Sequence, residues 1–184
     1  SSDLQYQRLD SETTDFVFEE TDLDEIIRTS VRKYARQFIA KKISLSYEPV
    51  ERTVITDKKW LSFVIEQVIS NAVKYTKTGG IKIYLEDGDG TMSVPVQKAS
   101  HRKEDDGENS GMKSVRLVIE DTGIGIRAED LPRICEMGYT GCNGYDRQHS
   151  SGIGLYLCSR ILKKLGHTFS ITSKEGVGTV VKIG

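Results

Sequence analysis

The chain is organised around the stretch Asp121-Thr122-Gly123-Ile124-Gly125-Ile126, which follows an apolar run over 115–119 that is typical of a buried strand. An acid at a strand end, followed by two glycines one residue apart, lets the backbone turn tightly and approach a flat ligand closely. Gly-x-Gly is also common in ordinary turns. Taken alone, the stretch is compatible with two roles for Asp121: a carboxylate that binds a ligand, or a solvated residue of an ordinary turn.

The composition is that of a soluble globular domain. The chain has 184 residues, 29% of them charged, and a formal net charge of −1, so no basic surface points to nucleic acid. No apolar segment has the length of a transmembrane helix, and no signal peptide is visible. The three cysteines form no C-x-x-C pair, so neither a zinc site nor a disulfide framework is expected. The first residue is not Met, and we interpret the chain as part of a longer protein.

The hydrophobic pattern predicts helices and strands along one domain. Helices are predicted over 23–40, with Asp22 as the capping residue, and from the capping residue Asp57 to Gly79-Gly80. A short helical piece is predicted over 129–135, and a last helix over 155–165 that Gly166 closes. Strands are predicted over 43–47, 54–55, 81–85, 115–120, 168–172 and 179–183. Residues 86–114 are rich in charged and small residues, and we expect a mobile hairpin-like insertion there.

The helix after Asp57 carries two different faces. Its apolar positions follow a 3.6-residue period and predict a buried stripe: Leu61, Val64, Ile65, Val68, Ile69, Ala72 and Val73. A second set at i, i+4, i+7 and i+8 can form hydrogen bonds and shares one side of the helix: Gln67, Asn71, Lys74 and Tyr75. A polar face of this kind is usually solvated, but its spacing also suits a binding site.

Two glycine-rich segments follow the Asp121 turn. Residues 138–144 hold three glycines in seven positions, which indicates a flexible lid. Ser150-Ser151-Gly152-Ile153-Gly154-Leu155 then runs into a helix, and unpaired N–H groups at such a helix start favour an anion. This segment lacks the Lys of the phosphate-loop motif and does not follow a strand, so neither common phosphate-binding fingerprint applies.

Taken in order, these pieces resemble the ATP-binding fold shared by gyrase B, MutL, the ninety-kilodalton heat-shock chaperones and the sensor histidine kinases. Residues 67–76 resemble the N box, 121–126 the G1 box, 151–155 the G2 box and 139–141 the F box. The chain is most similar to the catalytic domains of bacterial histidine kinases. Around Trp60 and the lid it is closest to the bacitracin-resistance type of intramembrane-sensing kinases.

The resemblance implies a two-layer α/β sandwich of the Bergerat type. One mixed sheet of about five strands is expected to be covered by three helices, with a flexible ATP lid. The domain is expected to span 16–184, including the insertion at 86–114. Residues 1–15 are then a linker or the tail of an upstream dimerisation helix.

For the adenine end of the site, the resemblance implies that Asp121 accepts a hydrogen bond from the adenine amino group. Gly123, Gly125 and the neighbouring Ile126 let the backbone and a bridging water reach the base, and Thr179 joins that water network. Tyr75 is expected to pack on adenine or ribose.

For the phosphate end, the resemblance implies that Asn71 offers its neutral oxygen to Mg²⁺ and that Lys74 meets the phosphates. The remaining ATP contacts are expected from the second glycine segment and the lid: Ser151, Gly152, Gly154 and Leu155, with Tyr139, Thr140 and Arg147. Arg147 is the candidate for the γ-phosphate.

The residue at position 67 helps to distinguish ATP hydrolysis from phosphoryl transfer. Four residues before Asn71, hydrolysing members of the superfamily carry a Glu base and most histidine kinases carry an Asn. An amide cannot take a proton from water, so Gln67 favours phosphoryl transfer over hydrolysis. We therefore place Gln67, Asn71 and Lys74 as the catalytic set. An ATP-hydrolysing member of the superfamily and a non-catalytic nucleotide-binding regulatory module remain as alternatives.

A histidine kinase also needs a phosphoacceptor His with an acid after it, and none of His101, His149 and His167 has that context. The resemblance implies that the acceptor lies on an upstream dimerisation domain of a homodimer in the cell membrane, with this domain in the cytoplasm. The expected partners are that domain, a response regulator and an ABC transporter.

Overall fold

The computed structural model describes residues 15–88, 93–95, 112–136 and 154–184. This part of the chain contains three α-helices: α1 (Leu23–Lys41), α2 (Lys58–Tyr75) and α3 (Gly154–Leu165). The eight strands are β1 (Glu19–Asp22), β2 (Ser44–Tyr47), β3 (Thr53–Thr56), β4 (Gly80–Asp87), β5 (Ser93–Pro95), β6 (Met112–Asp121), β7 (Phe169–Lys174) and β8 (Gly178–Ile183).

The main sheet has the strand order β2-β4-β6-β8-β7, with β5 paired to the start of β6. β2 and β4 are parallel and the other pairs are antiparallel, so the sheet is mixed as predicted. β1 and β3 form a separate antiparallel pair. The α/β sandwich is confirmed. The strand predicted over 54–55 forms β3, but its pairing with β1 was not predicted because the two strands are distant in sequence. β5 was not predicted either, because it lies within the polar insertion.

The core lies between the helices and one face of the main sheet. The predicted stripe of α2 is buried along its whole length, against alternate residues of the central strands such as Ile83, Leu117 and Ile119. The opposite face of the sheet is polar, with Lys182 Nζ 2.8 Å from Glu86 Oε1. Within the described residues, no helix combines the length and the apolar character that crossing a membrane requires.

Both predicted helix caps form. The Asp22 carboxylate accepts from the N–H of Asp24 at 2.9 Å, and the Asp57 carboxylate accepts from the N–H of Trp60 at 3.1 Å. Asp57 also accepts from the N–H of Val17 at 2.8 Å, which fixes the entering chain to the start of α2. The entering chain forms its first strand from Glu19.

The prediction that Gly79-Gly80 ends α2 is wrong. The helix ends at Tyr75, and Thr76 is an extended cap whose N–H donates to the Ala72 carbonyl. Gly79, with φ of 95°, instead belongs to the turn into β4. A glycine is needed there because a Cβ atom would lie 2.1 Å from Thr122 Oγ1.

The short helical piece predicted over 129–135 is present but is shorter than predicted. The structure has a 3₁₀ turn at Leu131–Arg133, in which the N–H of Arg133 donates to the Asp130 carbonyl at 2.9 Å. Pro132 has no N–H and cannot support a regular α-helix there. β4 extends to Asp87 and β6 begins at Met112. Both ends of the insertion at 86–114 are therefore regular strand.

Candidate functional site

Asp121 is the last residue of β6, at the end of the central strand of the sheet. Its Cα pairs with Ile81 of β4 on one side and with Thr179 of β8 on the other. The carboxylate accepts from the N–H of Gly123 at 2.8 Å and from the N–H of Thr179. Burial raises the pKa of Asp121, while these two N–H groups lower it and the charge of Glu120 raises it further. The turn thus holds a half-buried carboxylate in a fixed orientation.

The end of α2 packs directly on the Asp121 turn. The Tyr75 carbonyl accepts from the N–H of Ile124 at 3.1 Å. A Cβ atom at Gly123 would lie 2.6 Å from that carbonyl oxygen and 2.8 Å from Asp121 Oδ1. Gly123 is therefore required by the close approach of α2, which also brings Tyr75 beside the turn.

The hairpin between β7 and β8 closes the other side of the turn. Gly125 has a φ of 69°, and a Cβ atom there would lie 2.1 Å from the Lys174 carbonyl oxygen. The N–H of Gly176 donates to the Ile124 carbonyl at 2.7 Å. The two glycines of the motif consequently face two different backbone neighbours.

Ser173 is a site residue that the sequence reasoning missed. Its Oγ accepts from the N–H of Ile126 at 2.8 Å, donates to the Gly178 carbonyl at 2.9 Å and lies 2.8 Å from Thr179 Oγ1. It therefore connects Ile126 with Thr179, two residues that the resemblance had placed in the site. The hairpin register, with Ser173 opposite Thr179, is the signal that could have identified it.

Thr122 is a second residue that was missed, although it lies inside the central motif. Its Oγ1 accepts from the N–H of Gly80 at 2.9 Å, and its own N–H donates to the Gly80 carbonyl at 3.1 Å. These contacts fix the Asp121 turn to the start of β4. Both missed hydroxyls are structural supports of the turn.

The four polar residues of α2 are half-buried, on the side predicted from their spacing. Lys74 Nζ lies 5.3 Å from the centroid of the Tyr75 ring, a cation–π distance. Gln67 Oε1 lies 2.9 Å from the position of a Cβ atom at Gly154, the first residue of α3. The structure therefore brings the polar face of α2 to the start of the helix that carries Gly154 and the half-buried Leu155.

The residues around Asn71 fit a magnesium ion that is held mainly by phosphate oxygens. Within the described ranges, no group of three or more His, Cys, Asp or Glu side chains is placed to hold a metal. The half-buried side chain of Asn71 carries one neutral amide oxygen, and Lys74 follows about one turn further along α2. Mg²⁺ accepts such a site because it keeps several waters and few protein ligands.

Five predicted contact residues lie outside the described residues, and their roles stay predictions: Tyr139, Thr140, Arg147, Ser151 and Gly152. The same holds for His101 and His149.

His167 begins the connection from α3 to β7 and is positioned by the fold. Its Nε2 lies 3.0 Å from Oγ1 of the fully buried Thr56, and its Nδ1 is buried. Burial lowers the pKa of His167, and the Gly184 carbonyl opposes that effect. A ring with one nitrogen buried and the other in contact with Thr56 is poorly suited to accept a phosphoryl group, in agreement with its sequence context.

Known proteins share this arrangement. Residues 56–184 match the family described as Histidine kinase-, DNA gyrase B-, and HSP90-like ATPase. The chain is 33% identical over 183 residues to the sensor histidine kinase YxdK of Bacillus subtilis (strain 168), covering 97% of this chain and 49% of that protein. It is 30% identical over 181 residues to the sensor protein kinase GraS of Staphylococcus aureus (strain JH1), covering 98% and 46%. The chain thus spans about half the length of these curated relatives.

Solved structures agree on the fold. The full-length ShkA structure in complex with AMPPNP has a TM-score of 0.74 at 19% identity, covering 99% of this chain and 34% of that one. The nucleotide-free catalytic domain of histidine kinase ThkA has a TM-score of 0.67 at 21% identity, covering 91% and 94%. With the family match over 56–184, the conclusion is that this chain belongs to the histidine kinase-, DNA gyrase B- and HSP90-like ATPase family.

Proposed function

We propose that this chain is the catalytic and ATP-binding domain of a sensor histidine kinase, and that it transfers the γ-phosphoryl group of ATP to a histidine on a separate domain. The observation that carries this proposal is the half-buried Asp121 carboxylate, oriented by the N–H groups of Gly123 and Thr179. A fixed acceptor beside a glycine turn suits the amino group of adenine. Tyr75, held at the same turn by its carbonyl, supplies an aromatic ring for the base or ribose.

The polar face of α2 would serve the phosphates. Asn71 offers an oxygen to Mg²⁺, and Lys74 contributes a positive charge one turn further on. When bound, Mg²⁺ would neutralise part of the phosphate charge. The residues of this chain would act by positioning and by charge neutralisation, which is the usual means of catalysing phosphoryl transfer.

Gln67 supports transfer in preference to hydrolysis. Its amide cannot act as a general base for water, and its side-chain oxygen lies against the first residue of α3. In the proposed reaction the bond from the γ-phosphorus to the bridging oxygen breaks, a nitrogen–phosphorus bond forms, and ADP leaves. The buried Nδ1 of His167 and the contact of its Nε2 with Thr56 argue against this ring as the acceptor. His101 and His149 lack the expected sequence context, and the proposal therefore places the nucleophile on another domain.

The whole protein would contain this acceptor on an upstream dimerisation domain and would lie in the cell membrane, with this domain in the cytoplasm. Its partners would be its own second copy, a response regulator and an ABC transporter. The relatives named as sensor kinases are about twice as long as this chain, which is consistent with further domains.

The test is to mix this chain with a separately produced acceptor domain and γ-labelled ATP. Acid-labile label on the acceptor domain is the expected result. Free phosphate without protein label would favour the hydrolase alternative. ATP binding with neither product would favour a regulatory module without chemistry.

A further inference from the structure

The carboxyl end of α2 has an unusual arrangement of hydrogen bonds. The last four carbonyls of a helix have no partner within the helix, and a glycine in left-handed conformation often satisfies them. α2 instead ends in the extended Thr76, whose N–H reaches only the Ala72 carbonyl. The Tyr75 carbonyl accepts from Ile124 of the Asp121 turn. The carbonyls of Val73, Lys74 and Thr76 therefore need a donor from elsewhere.

Lys41, in the last turn of α1, supplies that donor. Its Nζ lies 2.6 Å from the Val73 carbonyl oxygen, 3.0 Å from that of Lys74 and 3.3 Å from that of Thr76. An ammonium group has three donors and no acceptor, so it can bond several carbonyls at once. The sequence gives no direct indication of this contact, because Lys41 and Thr76 are 35 residues apart.

The carbonyls on Lys41 flank the one that contacts the Asp121 turn. Moving the end of α2 would move the Tyr75 carbonyl, and with it Ile124 and Gly123. We propose that Lys41 is a positioning residue of the ATP site, which fixes the carboxyl end of α2 against the Asp121 turn. The effect of Lys41 on ATP binding rests on the proposed function. The positioning of the carboxyl end of α2 against the Asp121 turn does not.

The charge of Lys41 has a second effect. The carboxyl end of a helix carries a partial negative charge, which would oppose the phosphates of ATP near Asn71 and Lys74. A cation on the last carbonyls offsets that charge. Lys41 thus favours ATP through geometry and electrostatics without touching the nucleotide.

The experiment compares Lys41→Met with Lys41→Arg and with Lys33→Met. Lys33 is a matched control, because it also joins α1 to α2, through Glu66 at 2.8 Å, but away from the helix end. ATP affinity is measured by calorimetry in magnesium buffer, and hydrogen exchange of the Ile124 amide is measured without nucleotide. Circular dichroism confirms that each variant is folded.

We expect Lys41→Met to weaken ATP binding and to accelerate exchange at Ile124, each by about tenfold or more, because charged hydrogen bonds are lost. Lys41→Arg is expected to keep most of the ATP affinity and most of the protection of the Ile124 amide. Lys33→Met is expected to leave both quantities unchanged. Wild-type exchange at Ile124 in Lys41→Met would overturn the inference, whatever ATP does. If the wild-type chain binds no ATP, the proposed function fails while the exchange result still decides the role of Lys41.

Discussion

The side-chain oxygen of Gln67 lies 2.9 Å from the point where a Cβ atom would stand at Gly154. The missing side chain of Gly154, at the start of α3, therefore leaves room for the Gln67 side chain as well as for any anion that binds there. Asn, the residue most histidine kinases carry at this position, is one methylene shorter. The relationship connects the polar face of α2 with the start of α3.

Gly154→Ala is accordingly expected to act through Gln67. The added methyl group requires the flexible end of Gln67 to move, whereas in a Gln67→Ala background it meets no other side chain of the described residues. A double-mutant cycle on the free energy of unfolding should give a coupling of about 1 kcal/mol. Strictly additive effects in urea titrations would show that the two residues do not constrain each other.

Asp121→Asn is expected to remove ATP binding and to make the nucleotide-free domain more stable. Burial raises the pKa of Asp121, so the folded protein favours the neutral carboxyl. The contribution of this group to stability is complete below its unfolded pKa and is lost as pH rises through the folded pKa. At neutral pH the partly buried, ionised carboxylate therefore lowers the stability of the folded domain. The neutral amide of the variant does not have this effect.

Calorimetry measures the ATP affinity, and urea unfolding at neutral and acidic pH measures the stability. The stability gain of the variant should shrink as pH falls. Glu120→Gln is the control for ATP affinity, which it should leave unchanged: Glu120 is the preceding residue on β6, and its carboxylate accepts from the Tyr84 hydroxyl at 3.3 Å on the open face of the sheet. Unchanged ATP affinity in a folded Asp121→Asn would refute the site assignment.

Ser173→Ala tests whether the hairpin supports the site. The change removes a hydroxyl that contacts Ile126, Gly178 and Thr179, and we expect a loss of about 1 to 3 kcal/mol in unfolding free energy. ATP affinity should fall as well, because Thr179 loses a neighbour. Ser170→Ala, an exposed serine on the same strand, should change stability by less than about 0.5 kcal/mol. Equal effects from the two serines would contradict this role.

His167 should make the domain sensitive to acid. Its pKa is lowered from 6.5 by burial, so protonation favours the unfolded chain. Its contribution to stability is full above the unfolded pKa and is lost as pH falls through the folded pKa. Between about pH 8 and about pH 5 the wild-type chain should therefore lose more stability than His167→Gln. Parallel unfolding profiles for the two proteins would exclude this residue as the source.

Local sequence was enough to predict most of the elements of the fold. The caps at Asp22 and Asp57, the buried stripe of α2 and the strands on either side of the Asp121 turn all depend on residues within one or two turns of the chain. The residues proposed for the site could be chosen for the same reason, since Asp121, the two glycines and Asn71 lie in short patterns. Where a distant partner decided the outcome, as at the end of α2, the prediction was wrong.

The sequence by itself determined the type of domain and the chemistry available to it: one acid at a strand end, a polar helix face with an amide in place of a base, and paired glycines. Only the tertiary structure decided what each glycine faces, that Ser173 and Thr122 support the turn, and that Lys41 holds the end of α2. Those contacts join residues that are 35 or more positions apart in several cases, as with Lys41 and Thr76, or Gly80 and Thr122. Such pairs meet only because sheet register and helix packing place them together, which no local pattern encodes.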